Sequence, residues 1–186
     1  GRMLKAHPQL LNEAVPFNME ADSLNAAILA EDAQPGTPEF DLFIKEVKRE
    51  MTVKCGQKCT AIRRIIVPEA LVEDVQIALG QQLSKTVIGD PQVEGVRMGA
   101  MAGKSQVTEV REKVAELLKS SKMVYGDLDQ FEVTGADKNK GAFLSPILLL
   151  NNDPFNQLGS HEIEAFGPVS TIMPYKNLNE AIQLSK

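Results

Sequence analysis

The chain has 186 residues, 43% of them hydrophobic and 24% charged, with a formal net charge of −5; this is the composition of a globular domain with a core of its own. The acidic balance argues against a nucleic-acid partner, which calls for basic surface, and no stretch approaches the roughly 20 apolar residues of a membrane span. Two cysteines, Cys55 and Cys59, are too few for a disulfide scaffold, and with no apolar leader in view the expectation is a cytoplasmic protein with reduced thiols.

LNAAILA, residues 24–30, is a short apolar run and predicts a buried strand. The polar stretch EDAQPGTPEF is a loop. It ends in Thr37-Pro38-Glu39, an N-cap, a proline at the first helical position and an acid in the first turn. Phe40, Phe43, Ile44, Val47 and Met51 then recur at helical spacing, so a helix is expected over 38–54, with Gly56 as its stop. AIRRIIV, residues 61–67, reads as the next strand. Arg63 and Arg64 alternate across it, so one of them is expected to face solvent or pair with an acid. Pro68 and Glu69 open a helix with Leu71, Val72, Val75, Leu79 and Leu83 on its apolar face. VIGDP is a loop, and Met98, Gly99 and Met101 read as loop packing. GKSQVTEVREKVAELLKSS is an amphipathic helix with Val107, Val110, Val114, Leu117 and Leu118 inward. GADKNKGAF is a turn or hairpin, and residues 144–150 and 169–175 are two more strands. Strands alternating with helices predict a layered α/β domain with a mostly parallel sheet. Leu178, Ala181 and Ile182 begin a helical pattern that the chain cuts at Lys186, so a piece of a longer protein is expected.

The chemistry centres on CGQKCT, residues 55–60. A thiolate is the strongest simple side-chain nucleophile, although most cysteines serve as small buried hydrophobes. The spacing is not the C-x-x-C of a dithiol. His7 and His161, the only histidines, stand at no ligand spacing from the cysteines, so no metal is expected. A base for Cys59 would have to be something other than histidine.

GQKCT, placed after an amphipathic helix and before a strand, resembles the catalytic-cysteine motif of the aldehyde dehydrogenase superfamily. EAFGPV, residues 164–169, is similar to a second motif of that family. Glu20, in MEADS, stands where the family carries a glutamate followed by Leu-Gly-Gly; here Asp22-Ser23 replace the glycines. That departure, with PEFDLFIKEVKREMT and GQKCTAIRRIIVPEALV, looks like the aldehyde dehydrogenase domain of the bifunctional phenylacetic acid degradation subfamily, over residues 7–186. The resemblance implies a truncated three-layer α/β/α catalytic domain. Residues 1–186 would be one fragment, without the cofactor-binding half or the C-terminal end. It implies Cys59 as the nucleophile, passing through a thiohemiacetal and a thioester, and Glu20 as the base that activates the hydrolytic water. It implies Glu164 on the nicotinamide ribose, Phe166 beside the ring, and NADP or NAD as cofactor. For the whole protein it implies a CoA-linked semialdehyde substrate, a fused hydratase-type domain and a homo-oligomer; the isolated fragment would turn over nothing. A CoA-acylating dehydrogenase that does not need Glu20, a redox module of Cys55 and Cys59, and an inert structural domain are the alternatives. Cys55 matches no family position and is expected to pack on the last turn of its helix.

Overall fold

The computed structural model describes residues 2–20 and 23–186. Ala21 and Asp22, within the motif that begins at Glu20, lie outside the described residues. Five strands form one sheet in the order β1-β2-β5-β4-β3. Strands β1 (Asn25–Ile28), β2 (Ile62–Pro68), β4 (Ile147–Leu150) and β5 (Val169–Tyr175) are parallel, and β3 (Lys122–Tyr125) pairs antiparallel with β4 at one edge. The three inner strands are buried along almost their whole length. This is why they read as continuous apolar runs: a parallel sheet is covered on both faces.

Two short helices, α1 (Arg2–Lys5) and α2 (Pro8–Asn12), precede the sheet. Helix α3 (Pro38–Thr52) starts at Thr37, whose hydroxyl accepts from the Phe40 N–H at 3.3 Å. It packs beside α4 (Val72–Leu83) on one face of the sheet, where Phe40, Ile44, Val47, Val75 and Leu79 meet Leu148, Leu150 and Ile172. Helix α5 (Lys104–Leu117) covers the other face, where Val110, Val114 and Leu117 meet Ile147, Leu149 and Val169. Alternate residues of β4 thus feed alternate cores, as the pleat requires. Helix α6 (Gly159–Glu162) is a single turn, and α7 (Leu178–Ser185) packs on Ile66 and Met173. The result is a three-layer α/β/α arrangement, and no helix among the described residues is long and apolar enough to cross a membrane.

Several expectations change. Helix α3 ends at Thr52 instead of Lys54, and Lys54 (φ 53°), Cys55 (φ 54°) and Gly56 (φ 65°) form a left-handed turn after it. Cys55 therefore lies beyond the helix, not on its last turn. Leu118 falls just past the end of α5 and is exposed, so the inward stripe stops at Leu117. VIGDP is more than a loop, since Ile88 and Gly89 form isolated bridges to Met98 and Thr134. Strand β3 and helix α6 carried no legible sequence signal.

Candidate active site

Strands β1, β2 and β5 are neighbours in the sheet and parallel. The segments that enter them therefore meet at the amino edge of the sheet. They carry Ser23 before β1, Cys59 before β2, and Glu164 and Phe166 before β5. The sequence separates these residues widely; the strand order brings them together.

The backbones at Gly56 and Gly167 lie close together. A Cβ on Gly56 would collide with the Gly167 carbonyl, and the left-handed φ at Gly56 also favours glycine. Arg63, 5% exposed, fastens this contact. Its Nη1 donates to Gly167 O and its Nη2 to Gly56 O, each at 2.6 Å. Its Nε lies 3.5 Å from Glu164 Oε1, and the guanidinium carbon sits 5.5 Å from the centroid of the Phe166 ring. Burial pushes the Arg63 pKa down and the Glu164 charge pulls it back up; a guanidinium stays protonated throughout.

The β1 side holds the same loops. The Ser23 N–H donates to Glu164 Oε2 at 3.2 Å. The Ser23 hydroxyl donates to Cys59 O at 2.7 Å; having one proton, it makes only a longer 3.5 Å approach to Glu164 Oε1. Asn25 Nδ2 donates to Cys59 O at 2.6 Å and to Ala61 O at 3.2 Å. Gln57 Oε1 accepts from the Ala102 N–H at 2.8 Å, and Lys58 Nζ lies 2.6 Å from Glu50 Oε2 on α3. The main chain through Cys59 is thus anchored on several sides while its side chain is exposed. A fixed main chain at an exposed cysteine suits a nucleophile.

The two cysteines are in opposite environments. Cys55 is 3% exposed, and its Sγ donates to Gly99 O at 3.0 Å. Burial pushes its thiol up to about 11, so it stays protonated near neutral pH and is a poor nucleophile. Met98 and Met101 pack in the same apolar cluster.

Of the four residues singled out in the sequence, Cys59, Glu164 and Phe166 are drawn together through Ser23, Arg63 and the Gly56–Gly167 contact. Phe166 keeps 39% of its surface exposed. Glu20 is exposed and accepts from Asn18 Nδ2 at 3.0 Å. Among the described residues it makes no hydrogen bond or ion pair to Cys59 or Glu164. The expectation that one of Arg63 and Arg64 faces solvent or pairs with an acid holds for Arg63, which pairs with Glu164; neither faces solvent. Both are buried, because each finds main-chain acceptors. Arg64 Nε donates to Leu24 O at 2.6 Å, and its Nη groups donate to Leu184 O at 2.8 Å and Ser185 O at 3.2 Å.

Comparison with known proteins bears on the family and the fold. A model of the aldehyde dehydrogenase family matches residues 3–185. The 3,4-dehydroadipyl-CoA semialdehyde dehydrogenase of Aromatoleum evansii is 42% identical over 183 residues, which is 98% of this chain and 36% of that protein. The chain therefore spans about a third of that relative's length. The betaine aldehyde dehydrogenase of Staphylococcus aureus, solved with NAD+, superposes with a TM-score of 0.75 at 23% identity, over 87% of this chain and 30% of that one. An aldehyde dehydrogenase of Bartonella henselae superposes with a TM-score of 0.72 at 21% identity, over 88% and 32%. These two structures bear on the fold; the family model and the relative go further, and the chain belongs to the aldehyde dehydrogenase family.

Proposed function

We propose that this chain is the nucleophile-bearing part of an NADP-dependent dehydrogenase that oxidises a CoA-linked semialdehyde to the acid. The observation that carries the reading is the placement of an exposed Cys59, on an anchored main chain, beside the Glu164–Phe166 segment. The Cys59 thiolate attacks the aldehyde carbon to give a thiohemiacetal, whose oxyanion needs hydrogen-bond donors held in place near the cysteine. Loss of an electron pair and the aldehyde proton from that carbon leaves a thioester on Cys59. Water then adds to the thioester, the acid leaves and the thiol is restored. Glu20 takes the proton from that water, which requires the segment before Ser23 to bring its carboxylate over the thiol.

The residues present fit the nicotinamide riboside end of NADP or NAD. Glu164 offers two carboxylate oxygens to a pair of ribose hydroxyls, and the part-exposed ring of Phe166 offers a flat apolar face. Bound there, the cofactor supplies the acceptor for the electron pair. The rest of the dinucleotide and the remaining oxyanion donor are assigned to parts of the whole protein outside this chain, so the chain alone gives no turnover. The similarity to the A. evansii dehydrogenase supports a CoA thioester with a terminal aldehyde. The subfamily resemblance favours phenylacetate degradation and 3-oxo-5,6-dehydrosuberyl-CoA semialdehyde. On the same ground we assign a fused hydratase-type domain, a homo-oligomer and a cytoplasmic location to the whole protein.

The test is aldehyde-dependent NADP reduction by the full-length protein, followed by nicotinamide absorbance. Cys59→Ala should abolish it. Glu20→Gln should still consume one aldehyde per site but release no acid. Release of an acyl-CoA in place of acid would make the enzyme acylating, and no aldehyde-dependent reduction at all would sink the reading.

A further inference from the structure

We propose that Arg63, together with Ser23, is a positioning residue that locks the nucleophile segment to the cofactor segment and fixes the direction of Glu164. The proposal deepens the function just assigned and rests on it.

Arg63 spends its two Nη groups on one carbonyl from each segment, Gly56 O and Gly167 O. The planar fork spans both at once, which a lysine could not reproduce. The remaining Nε–H is buried without a hydrogen-bond partner and faces Glu164 Oε1 at 3.5 Å. The phosphates of a dinucleotide repel the Glu164 carboxylate, and the fixed positive charge of Arg63 beside it offsets that repulsion. Ser23 engages the other carboxylate oxygen through its N–H and holds Cys59 O through its hydroxyl. The family pattern described above has glycine at this position, and glycine has no hydroxyl to give. The substitution that departs from the pattern therefore adds a bond to the cysteine main chain. One network of Arg63, Ser23 and Glu164 reaches the segments before β1, β2 and β5. Arg64, next in sequence but directed to Leu24, Leu184 and Ser185, serves as the internal control.

The experiment uses the full-length protein, with Ser23→Gly, Arg63→Lys, Arg63→Met and Arg64→Lys. KM for NADP, kcat, calorimetric NADP affinity and the rate of Cys59 alkylation by iodoacetamide are measured on variants whose thermal melts show them folded. Ser23→Gly should raise KM for NADP about 5-fold, with a smaller fall in kcat, as expected for one lost hydrogen bond. Arg63→Met should raise it about 100-fold and make Cys59 alkylation insensitive to NADP. Arg63→Lys should recover part of that loss by keeping the charge. Arg64→Lys should lower the melting temperature without moving KM. If Arg63→Met does not fold, Ser23→Gly and Arg63→Lys decide the matter. NADP affinity and alkylation unchanged in those two, beside an active wild type, overturns the proposal. So does a KM and kcat response that only tracks the loss of thermal stability. A wild type without aldehyde-dependent NADP reduction counts against the function instead, and is read separately from the variants.

Discussion

Arg63 and Arg64 are consecutive residues of one strand, equally deep, and they do different work. Arg63 gathers the segments at the amino edge of the sheet that carry Cys59 and Glu164. Arg64 gathers Leu24, the end of α7 and the ring of His161, whose Nδ1 lies 3.2 Å from its Nη1. The β1–β2 pairing shifts register here, with Asn25 opposite Ile62 and Ala26 opposite Arg64, so simple alternation is interrupted at Arg63 and each guanidinium reaches its own set of main-chain acceptors. What each cation finds decides whether it serves the site or the scaffold.

The sharpest way to break the Arg63 side is Gly56→Ala. The new methyl would strike Gly167 O and strain a left-handed residue, and we expect a loss of about 4 kcal/mol in urea unfolding. Arg64→Met should cost about 3 kcal/mol by leaving carbonyls unpaired, yet leave the rate of Cys59 alkylation unchanged; a slowed thiol would show that the two arginine networks communicate. Cys55 sharpens the contrast with Cys59. Its folded pKa of about 11 lies above the ordinary thiol value, so its contribution is complete below about pH 8.5 and disappears as pH rises through 11. Stability should fall by about 3 kcal/mol over that window, and Cys55→Ala should flatten the fall. In the folded chain iodoacetamide at pH 8 should label one thiol, and in urea two. The smallest effect belongs to His161. Desolvation first, and Arg64 second, hold its pKa below the usual histidine value. Its neutral form is therefore the one the fold favours. Its contribution is present above about pH 6.5 and is lost on acidification. His161→Gln should soften the acid limb of the melting curve by less than about 1 kcal/mol.

Much of the scaffold was legible in the sequence. Thr37-Pro38-Glu39 announced α3, and the apolar runs announced β2, β4 and β5, because these signals are local. The left-handed Lys54-Cys55-Gly56 turn was not legible. Non-glycine residues take that conformation only under tertiary constraint, here the Gly56–Gly167 approach. Strand β3, four residues at an antiparallel edge, is too short to show a period. Within the candidate site, Cys59, Glu164 and Phe166 stood out by motif. Ser23 and Arg63 stood out too, but their partners were not legible, because these lie across strands whose order no local pattern reveals. The acid pairing expected for one of the two arginines is met by Arg63 and Glu164, whereas the register shift that interrupts alternation at Arg63 and the burial of both side chains on a strand covered on both faces were not legible.

The amino-edge location of the site has a practical consequence for engineering. In open parallel sheets the carboxyl rim is the usual place for ligands; here that rim, after Ile28, Pro68 and Tyr175, is occupied by ordinary connections, and the Tyr175 hydroxyl closes it by donating to Leu29 O at 2.7 Å. The exposed turn at Pro35 and Gly36 on that side is thus a natural address for a grafted epitope or a fluorescent label, one that reports on the domain from the end opposite Cys59.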